Sequence, residues 1–246
     1  MTKYLHDIGS YFIMLKQVFS RPTKASVLRN MIFKEIDDLI VSSLGIVAFV
    51  SFFVGGVVAI QTALNMDNPL IPKSLIGFAT RQSIILEFAP TFISIIMAGK
   101  VGSFITSSIG SMRVTEQIDA LEVMGINPLN YLVFPKIIAL LTYPFVIIIS
   151  MTLGIVGGWV ATVYGGFGSA SDYIDGLQET FVPFHITYAF IKTFIFAFIL
   201  ATVPSWQGYY MKGGALEVGK ASTNSFVWTS VLIILANYII TQMLLS

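Results

Sequence analysis

Four long stretches of this chain contain no charged residue, and they limit what it can fold into more than any other feature. They cover residues 39–66, 137–171, 193–211 and 221–246. Each is long enough to supply the roughly 20 apolar residues that a helix needs to cross the hydrocarbon core of a bilayer. Only 11% of all residues are charged, against about 25% in soluble proteins. These stretches therefore exclude a soluble domain.

A fifth apolar segment extends from Ser83 to Thr106 and is interrupted by Glu87 and Lys100. Its other residues are too apolar for a helix in water. In lipid only helices and closed barrels satisfy the backbone, and these runs lack the period-two alternation of barrel strands. We expect one all-α membrane domain over residues 1–246, with spans at 39–64, 83–106, 132–163, 186–208 and 226–245.

Lysine and arginine predict the orientation of these spans. The first 38 residues contain six of them, whereas the connection at 165–185 contains three acidic residues and no base. Because basic residues accumulate on the cytoplasmic side, the N-terminus is expected in the cytoplasm and the C-terminus, after five spans, in the periplasm. Lys73 and Arg81 lie on the outer side and are exceptions.

The region 1–36 contains an amphipathic pattern. Apolar residues recur every three or four positions, at Leu5, Ile8, Phe12, Leu15 and Phe19. That spacing favours a helix lying in the membrane interface. A helix packed on the protein itself fits the same pattern equally well, and both interpretations stay open.

Glu87 is the first candidate for function, because a carboxylate within a span is costly and normally faces a water-filled cavity or a partner. The alternative is a position close to the membrane surface. Pro90 removes a backbone hydrogen bond and is expected to kink or break this helix. Gln61 and Asn237, isolated polar residues in other spans, are further candidates for a cavity, although hydrogen bonds between helices explain them as well.

Small residues recur at every fourth position after Glu87. Gly99 and Ser103 share one helical column, and Gly102 starts a second. Such spacing lets helices approach closely in a membrane, so we assign these residues to helix packing.

Residues 112–124 form the sharpest local signal. Glu116, Asp119 and Glu122 recur every three residues, so they predict one acidic side of a short helix. Gly125 is a natural C-terminal cap, and Pro128 prevents continuation. Docking into a soluble partner is the favoured interpretation, and a solvated loop helix is the alternative.

The sequence offers little for an enzyme. Gly214–Lys220 resembles a nucleotide-binding loop, but Ala221 stands where the hydroxyl that binds Mg²⁺ should be. The H-E-x-x-H and G-x-S-x-G motifs do not occur. A net charge of +1 also argues against a nucleic-acid partner. The residues therefore offer little support for an intramembrane enzyme, and we expect no cofactor in this chain.

Several motifs resemble the MlaE/YrbE permease family, the membrane subunits of bacterial lipid-transporting ABC systems associated with MCE proteins. They are E-x-x-P at Glu87 and Pro90, A-G-K-V-G at residues 98–102, the long match at residues 109–128, and P-K-I-I-A at residues 135–139. The resemblance covers essentially the whole chain.

The resemblance implies a bacterial inner-membrane homodimer that pairs with two ATPase subunits, where ATP and Mg²⁺ would bind. It also implies an MCE-domain ring on the periplasmic side and, in some systems, a STAS-domain subunit. The substrate would be phospholipid, moved to maintain outer-membrane asymmetry. Glu87 would line the lipid cavity, and the segment around residues 112–124 would be the coupling helix on the ATPase. The residues expected at that contact are Arg113, Glu116, Gln117, Asp119, Leu121, Glu122 and Met124.

The chain departs from the family pattern at two positions. Leu86 stands where family members often have arginine, and Ser108 stands where they often have glutamate. Without that arginine, Glu87 has fewer candidate partners.

Two other function classes fit the residues. One is a stand-alone secondary transporter with Glu87 as its proton or ion site, although such proteins usually contain internal repeats of several spans, and none is found here. The other is a scaffold that anchors soluble proteins.

Overall fold

A computed structural model describes residues 2–20, 24–66 and 72–245, with side chains from residue 6 onward. Arg21 and the side chains of Lys3 and Leu5, which entered the sequence predictions, lie outside the described part. Within the described residues the secondary structure is helical and contains no strand. The all-α class predicted from the sequence is confirmed.

In the described part of the chain, five helices are long and apolar enough to cross a membrane, as predicted. We number the helices in chain order. The long ones are α2 (Ala25–Asn65), α3 (Ser74–Val114), α5 (Pro128–Tyr164), α7 (Phe184–Tyr210) and α8 (Ala215–Leu245). The shorter ones are α1 (Thr2–Val18), α4 (Gln117–Val123) and α6 (Ala170–Gln178).

The long helices extend beyond the predicted spans. The span predicted at 83–106 lies inside α3, which has 41 residues and is therefore about 60 Å long at 1.5 Å per residue. Hydropathy measures only the part that suits hydrocarbon, about 30 Å thick. The backbone hydrogen bonds of a helix continue past that limit, and hydropathy therefore does not predict where a helix ends.

Two of the long helices contain wide π turns. In α2, a π segment at Ile36–Ile40 is followed by a 3₁₀ turn at Val41–Ser43. In α3, π segments occupy Ile84–Phe92 and Ala98–Gly102. The first of these contains Pro90, and α3 continues through the proline instead of breaking there. Such bulges often occur at functional sites.

The chain divides into two compact units. The first contains residues 1–43, 95–143 and 195–239, and the second contains residues 44–94, 144–194 and 240–246. Each long helix contributes residues to both units.

Small residues bring helices together in each unit. In the second unit, a Cβ added to Gly55 would overlap the backbone carbonyl of Gly154, so α2 and α5 approach closely there. Ser51 Oγ donates to Ser150 Oγ at 2.7 Å beside this contact.

In the first unit the predicted packing residues lie against α7 and α8. Gly102 lies against the ring of Pro204, and Gly99 lies against the side chain of Phe226. The carbonyl of Ser103 accepts a hydrogen bond from Ser222 Oγ at 3.5 Å.

A buried ion pair in the first unit, absent from the sequence predictions, joins α2 to α5. Lys136 Nζ lies 2.5 Å from Glu35 Oε1, and both side chains are largely buried. Glu35 Oε2 is buried without a hydrogen-bond partner. The pair fixes the start of α5 against the first span.

Helix α1 carries two apolar faces. Met14 and Val18 are fully buried, whereas Ile8, Phe12 and Phe19 from the predicted stripe are 56–63% exposed. Tyr11 shares a 2.8 Å hydrogen bond with Thr202 of α7. The helix therefore packs on the protein and also leaves apolar side chains exposed, and its position in the membrane interface stays a prediction.

Candidate functional site

Glu87 lies on the first π segment of α3, inside the second unit, and its carboxylate meets a lysine. Lys192 Nζ of α7 donates to Glu87 Oε1 at 2.9 Å and to the carbonyl oxygen of Leu86 at 3.0 Å. The ammonium also lies 4.5 Å from the ring centre of Tyr188. The Glu87 carboxylate, the Leu86 carbonyl and the face of the Tyr188 ring therefore all contact the Lys192 ammonium.

Hydroxyl groups extend this pair into a network. Thr91 Oγ1 donates to Glu87 Oε2 at 3.2 Å, and Thr241 Oγ1 of α8 lies 3.5 Å from Oε1. Tyr188 in turn shares a 2.7 Å hydrogen bond with Thr241. The network joins α3, α7 and α8 within the second unit.

The two charges differ in accessibility. The side chain of Lys192 is fully buried, whereas that of Glu87 is 42% exposed. Burial of an ammonium group is tolerable only with a paired and hydrogen-bonded charge, which Glu87 supplies. A molecule that approaches this site therefore meets a carboxylate, a hydrogen-bond acceptor, before it meets the cation.

An apolar crevice lies along the same π segment. Its walls include Phe88 and Phe92 of α3 together with Gly55 of α2 and Gly154 of α5. Phe88 and Phe92 are 37% and 42% exposed. The close approach of the two glycines leaves the rings as the main apolar surface.

The remaining predicted cavity residues have different surroundings. Pro90 is buried, and its carbonyl accepts a hydrogen bond from Ser94 Oγ at 2.5 Å. Gln61 is exposed on α2 in the second unit, and Asn237 is half-buried on α8 in the first unit.

Lys192 was missed by the sequence predictions, although a signal was available. It lies within the predicted span 186–208, one residue before the uncharged run that begins at 193. A search for uncharged runs ends at such a residue. A search for any charge inside a predicted span would have found it.

The predicted acidic helix at 112–124 proves to be two pieces. Residues 112–114 are the last turn of α3, and α4 begins only at Gln117. Glu116 lies between them with a left-handed φ of 59°, which turns the chain. The pattern predicted one continuous helix because side-chain spacing does not reveal a single residue with positive φ.

The C-terminus of α4 follows the prediction. Gly125 has a φ of +74°, and the N–H of Ile126 donates to the carbonyl of Leu121 at 3.0 Å. This hydrogen bond is the one expected of a Schellman cap. Pro128 then begins α5.

The side chains around α4 divide into two groups, and the first group contacts the rest of the first unit. Asp119 pairs with Arg113 at 2.9 Å, and Glu122 accepts a hydrogen bond from Tyr209 of α7 at 3.2 Å. The Arg113 guanidinium also lies 5.7 Å from the centre of the Tyr209 ring. These groups hold α4 to its own unit.

The second group of side chains around α4 faces outward. Glu116 and Gln117 are exposed, and Val123 and Met124 are 89% and 64% exposed. Ile118 is fully buried, and Leu121 is half-buried. Two uncovered apolar side chains at the end of α4, with exposed Glu116 before its start, form a surface suited to a protein partner.

In the part of the chain that the structure describes, no group of three or more His, Asp or Glu side chains could hold a metal ion.

Comparison with known proteins gives a consistent result. The model of the family described as "Permease MlaE" matches residues 32–243. A probable ABC transporter permease protein of Rickettsia bellii is 33% identical over 97% of this chain and 96% of its own length. A protein of the same description from Rickettsia conorii is 31% identical over 98% of this chain and 93% of its own. The chloroplastic protein trigalactosyldiacylglycerol 1 of Arabidopsis thaliana is 29% identical over 98% of this chain and 69% of its own.

Proposed function

The chain belongs to the MlaE permease family, and from this premise we propose that it is the membrane subunit of an ABC transporter for glycerophospholipids. Relatives similar over nearly their whole length are described as probable ABC transporter permeases. A plant relative is named after a glycerolipid, which supports the substrate class. The proposed complex holds two permeases and two ATPases in the inner membrane, and passes lipid to or from an MCE-protein ring to maintain outer-membrane asymmetry.

The outward surface of α4 carries this proposal. A helix that presents Val123, Met124 and Glu116 to its surroundings provides a docking surface for a soluble motor. The distribution of basic residues supports a cytoplasmic position for this helix, where ATP is available. The chain itself lacks a complete nucleotide-binding motif, so the ATPase is a separate subunit.

Movement of α4 would reach the lipid site through α3. Only Thr115 and Glu116 separate the two helices, so closure of the ATPase pair at α4 would displace α3 as well. Glu87 and its π segment lie on that helix. Rigid-body shifts of packed helices are a common means of opening or closing a cavity.

The Glu87 network supplies the features of a head-group site. Its exposed carboxylate accepts hydrogen bonds from hydroxyl or ammonium groups of a head group, while buried Lys192 keeps the local charge balanced. The exposed rings of Phe88 and Phe92 offer apolar surface to an acyl chain. Gln61 and Asn237 remain candidates for further polar contacts.

The test uses variants that change only outward groups of α4. Glu122→Lys would also break the hydrogen bond with Tyr209, so the sharper variant combines Glu116→Lys with Val123→Lys. We expect it to lose ATPase co-purification by at least about tenfold, because two cations replace an acidic and an apolar contact. Gln178→Lys, at an exposed position on α6, is the matched control and should keep association.

Transport is then measured in vesicles that contain the purified complex and a labelled phospholipid. The proposal expects transport to require ATP and to fall with the α4 variant but not with the control. Transport that continues without ATP and depends on Glu87 would instead support an ion-coupled secondary transporter. Unchanged ATPase association in the α4 variant would contradict the docking role of this helix.

A further inference from the structure

Two asparagine side chains join the end of α1 to the segment that follows α4. Asn127 Nδ2 donates to the carbonyl oxygens of Gln17 and Ser20, both at 2.8 Å. Asn130 Nδ2 donates to the carbonyl of Val18 at 2.7 Å. Val18 lies in the last turn of α1, where carbonyls have no partner within the helix, so the Asn130 amide satisfies its carbonyl. The carbonyl of Gln17 also accepts from the N–H and Oγ of Ser20, and the Asn127 amide adds a contact from the start of α5.

Asn127 uses both ends of its amide. While Nδ2 binds α1, Oδ1 accepts from the backbone N–H groups of Leu129 and Asn130 at 3.1 and 3.4 Å and caps the start of α5. Aspartate at this position would keep the acceptor and lose the donor. Asn130 is only 2% exposed, so its hydrogen bond is shielded from competition by water.

Further contacts in the first unit join α1 and α4 to the end of α7. Ser10 of α1 accepts a hydrogen bond from Trp206 Nε1 of α7 at 3.0 Å. Tyr209 of α7 holds α4 through Glu122. Helix α1, the end of α7 and the α4 segment therefore form a closed set of contacts, which the two asparagines complete.

We infer that Asn127 and Asn130 are positioning residues that make α1 move together with α4. The inference rests on the proposed function, because the motor is what displaces α4. Ile8, Phe12 and Ile13 on the outward face of α1 are 55–63% exposed. Through them α1 carries the displacement into the head-group region of the bilayer, where such apolar faces insert. In the alternative arrangement, α1 stays fixed while α4 moves relative to it.

The first test measures hydrogen exchange of the α1 amides in the intact complex in lipid nanodiscs. Asn127→Asp keeps a good N-cap for α5 but cannot donate to α1. We expect about tenfold faster exchange in the last turn of α1, because the carbonyls of Gln17 and Ser20 lose their hydrogen bonds from the Asn127 amide. Ser169 Oγ caps α6 by accepting a hydrogen bond from the N–H of Asp172 at 3.1 Å. Ser169→Ala removes that cap and is the control, which should leave α1 unchanged. Equal protection of α1 in Asn127→Asp and wild type would overturn the inference.

The second test replaces the hydrogen bonds by a covalent link. The chain contains no cysteine, so Ser20→Cys with Asn127→Cys introduces two thiols that a short bismaleimide can bridge. The replaced groups are close, with Ser20 Oγ 3.3 Å from Asn127 Nδ2. Ser20→Cys alone, treated with the same reagent, is the control.

Joint movement predicts that the cross-linked complex keeps ATP-driven transport, whereas Asn127→Asp loses most of it while ATPase association and hydrolysis persist. Loss of transport on cross-linking, with the single-cysteine control active, would show that α1 and α4 must separate and would refute the inference. If wild-type protein fails to bind an ATPase, the proposed function fails instead. The hydrogen-exchange comparison then still decides whether the asparagines hold α1.

Discussion

Removing one member of the Glu87–Lys192 pair should lower the free energy of unfolding, because the remaining charge loses its partner. Replacing both members should lower it by less than the sum of the two single losses. Glu87→Leu leaves the Lys192 ammonium fully buried with the Leu86 carbonyl and the Tyr188 ring. An uncompensated buried charge costs about 3–5 kcal/mol. Because Glu87 is 42% exposed and water can partly replace it, we expect the lower end, about 3 kcal/mol.

Lys192→Met should cost less. The carboxylate that remains is accessible to water and keeps the hydroxyls of Thr91 and Thr241 near it. We expect a loss of about 1.5–3 kcal/mol, the range for a hydrogen bond to a charged group. In the double variant no charge is left buried, so it should be at least about 2 kcal/mol more stable than the sum of the single losses predicts.

The assay is equilibrium unfolding in mixed micelles, followed by the fluorescence of the three tryptophans. Lys212→Met, which removes an exposed lysine, is the control and should change stability by less than about 0.5 kcal/mol. Additivity of the Glu87 and Lys192 losses within about 0.5 kcal/mol would refute the coupling. A larger loss for Lys192→Met than for Glu87→Leu would refute the argument from burial.

Two further substitutions test local structure. Ser169→Ala removes the N-cap of α6 and should cost about 1 kcal/mol. The hydroxyl and backbone N–H of Ser169 also lower the pKa of Asp172, so the stability that the Asp172 carboxylate gives the wild-type protein should disappear as pH falls through the lowered pKa. Melting curves that respond equally to acid in both proteins would contradict this. Gly55→Ala places a methyl group against the carbonyl of Gly154 and should lower stability by about 1–3 kcal/mol. Gly45→Ala is the control and should not, because a Cβ there meets no described atom within 4 Å outside its own stretch of helix. Equal melting temperatures for the two variants would mean that α2 and α5 are not in close contact.

Much of the membrane architecture follows from the sequence. Four runs without charge and a fifth apolar segment with two charges predict the five long helices, because transfer of apolar side chains into hydrocarbon depends on composition and not on neighbours. The cap at Gly125 was equally predictable, since a left-handed φ favours glycine. Helix ends and π turns were not, because backbone hydrogen bonds continue beyond the apolar part.

The candidate site was predicted only in part. Glu87 is visible in the sequence as a carboxylate inside an apolar span, but its partner Lys192 is 105 residues away. The division of the acidic helix at Glu116 was also hidden. Beyond that turn Val123 and Met124 are exposed to the surroundings, which the spacing of the acidic residues does not reveal.

The sequence by itself determined that this chain is a helical membrane protein of the MlaE permease type, with a carboxylate in one span and an acidic helix after it. Those features depend on local composition and short motifs. Only the tertiary structure decided that Lys192 neutralises Glu87 and that two asparagines bind the end of α1. These contacts join residues about 100 or more positions apart, and packing of helices is what brings them within hydrogen-bond distance.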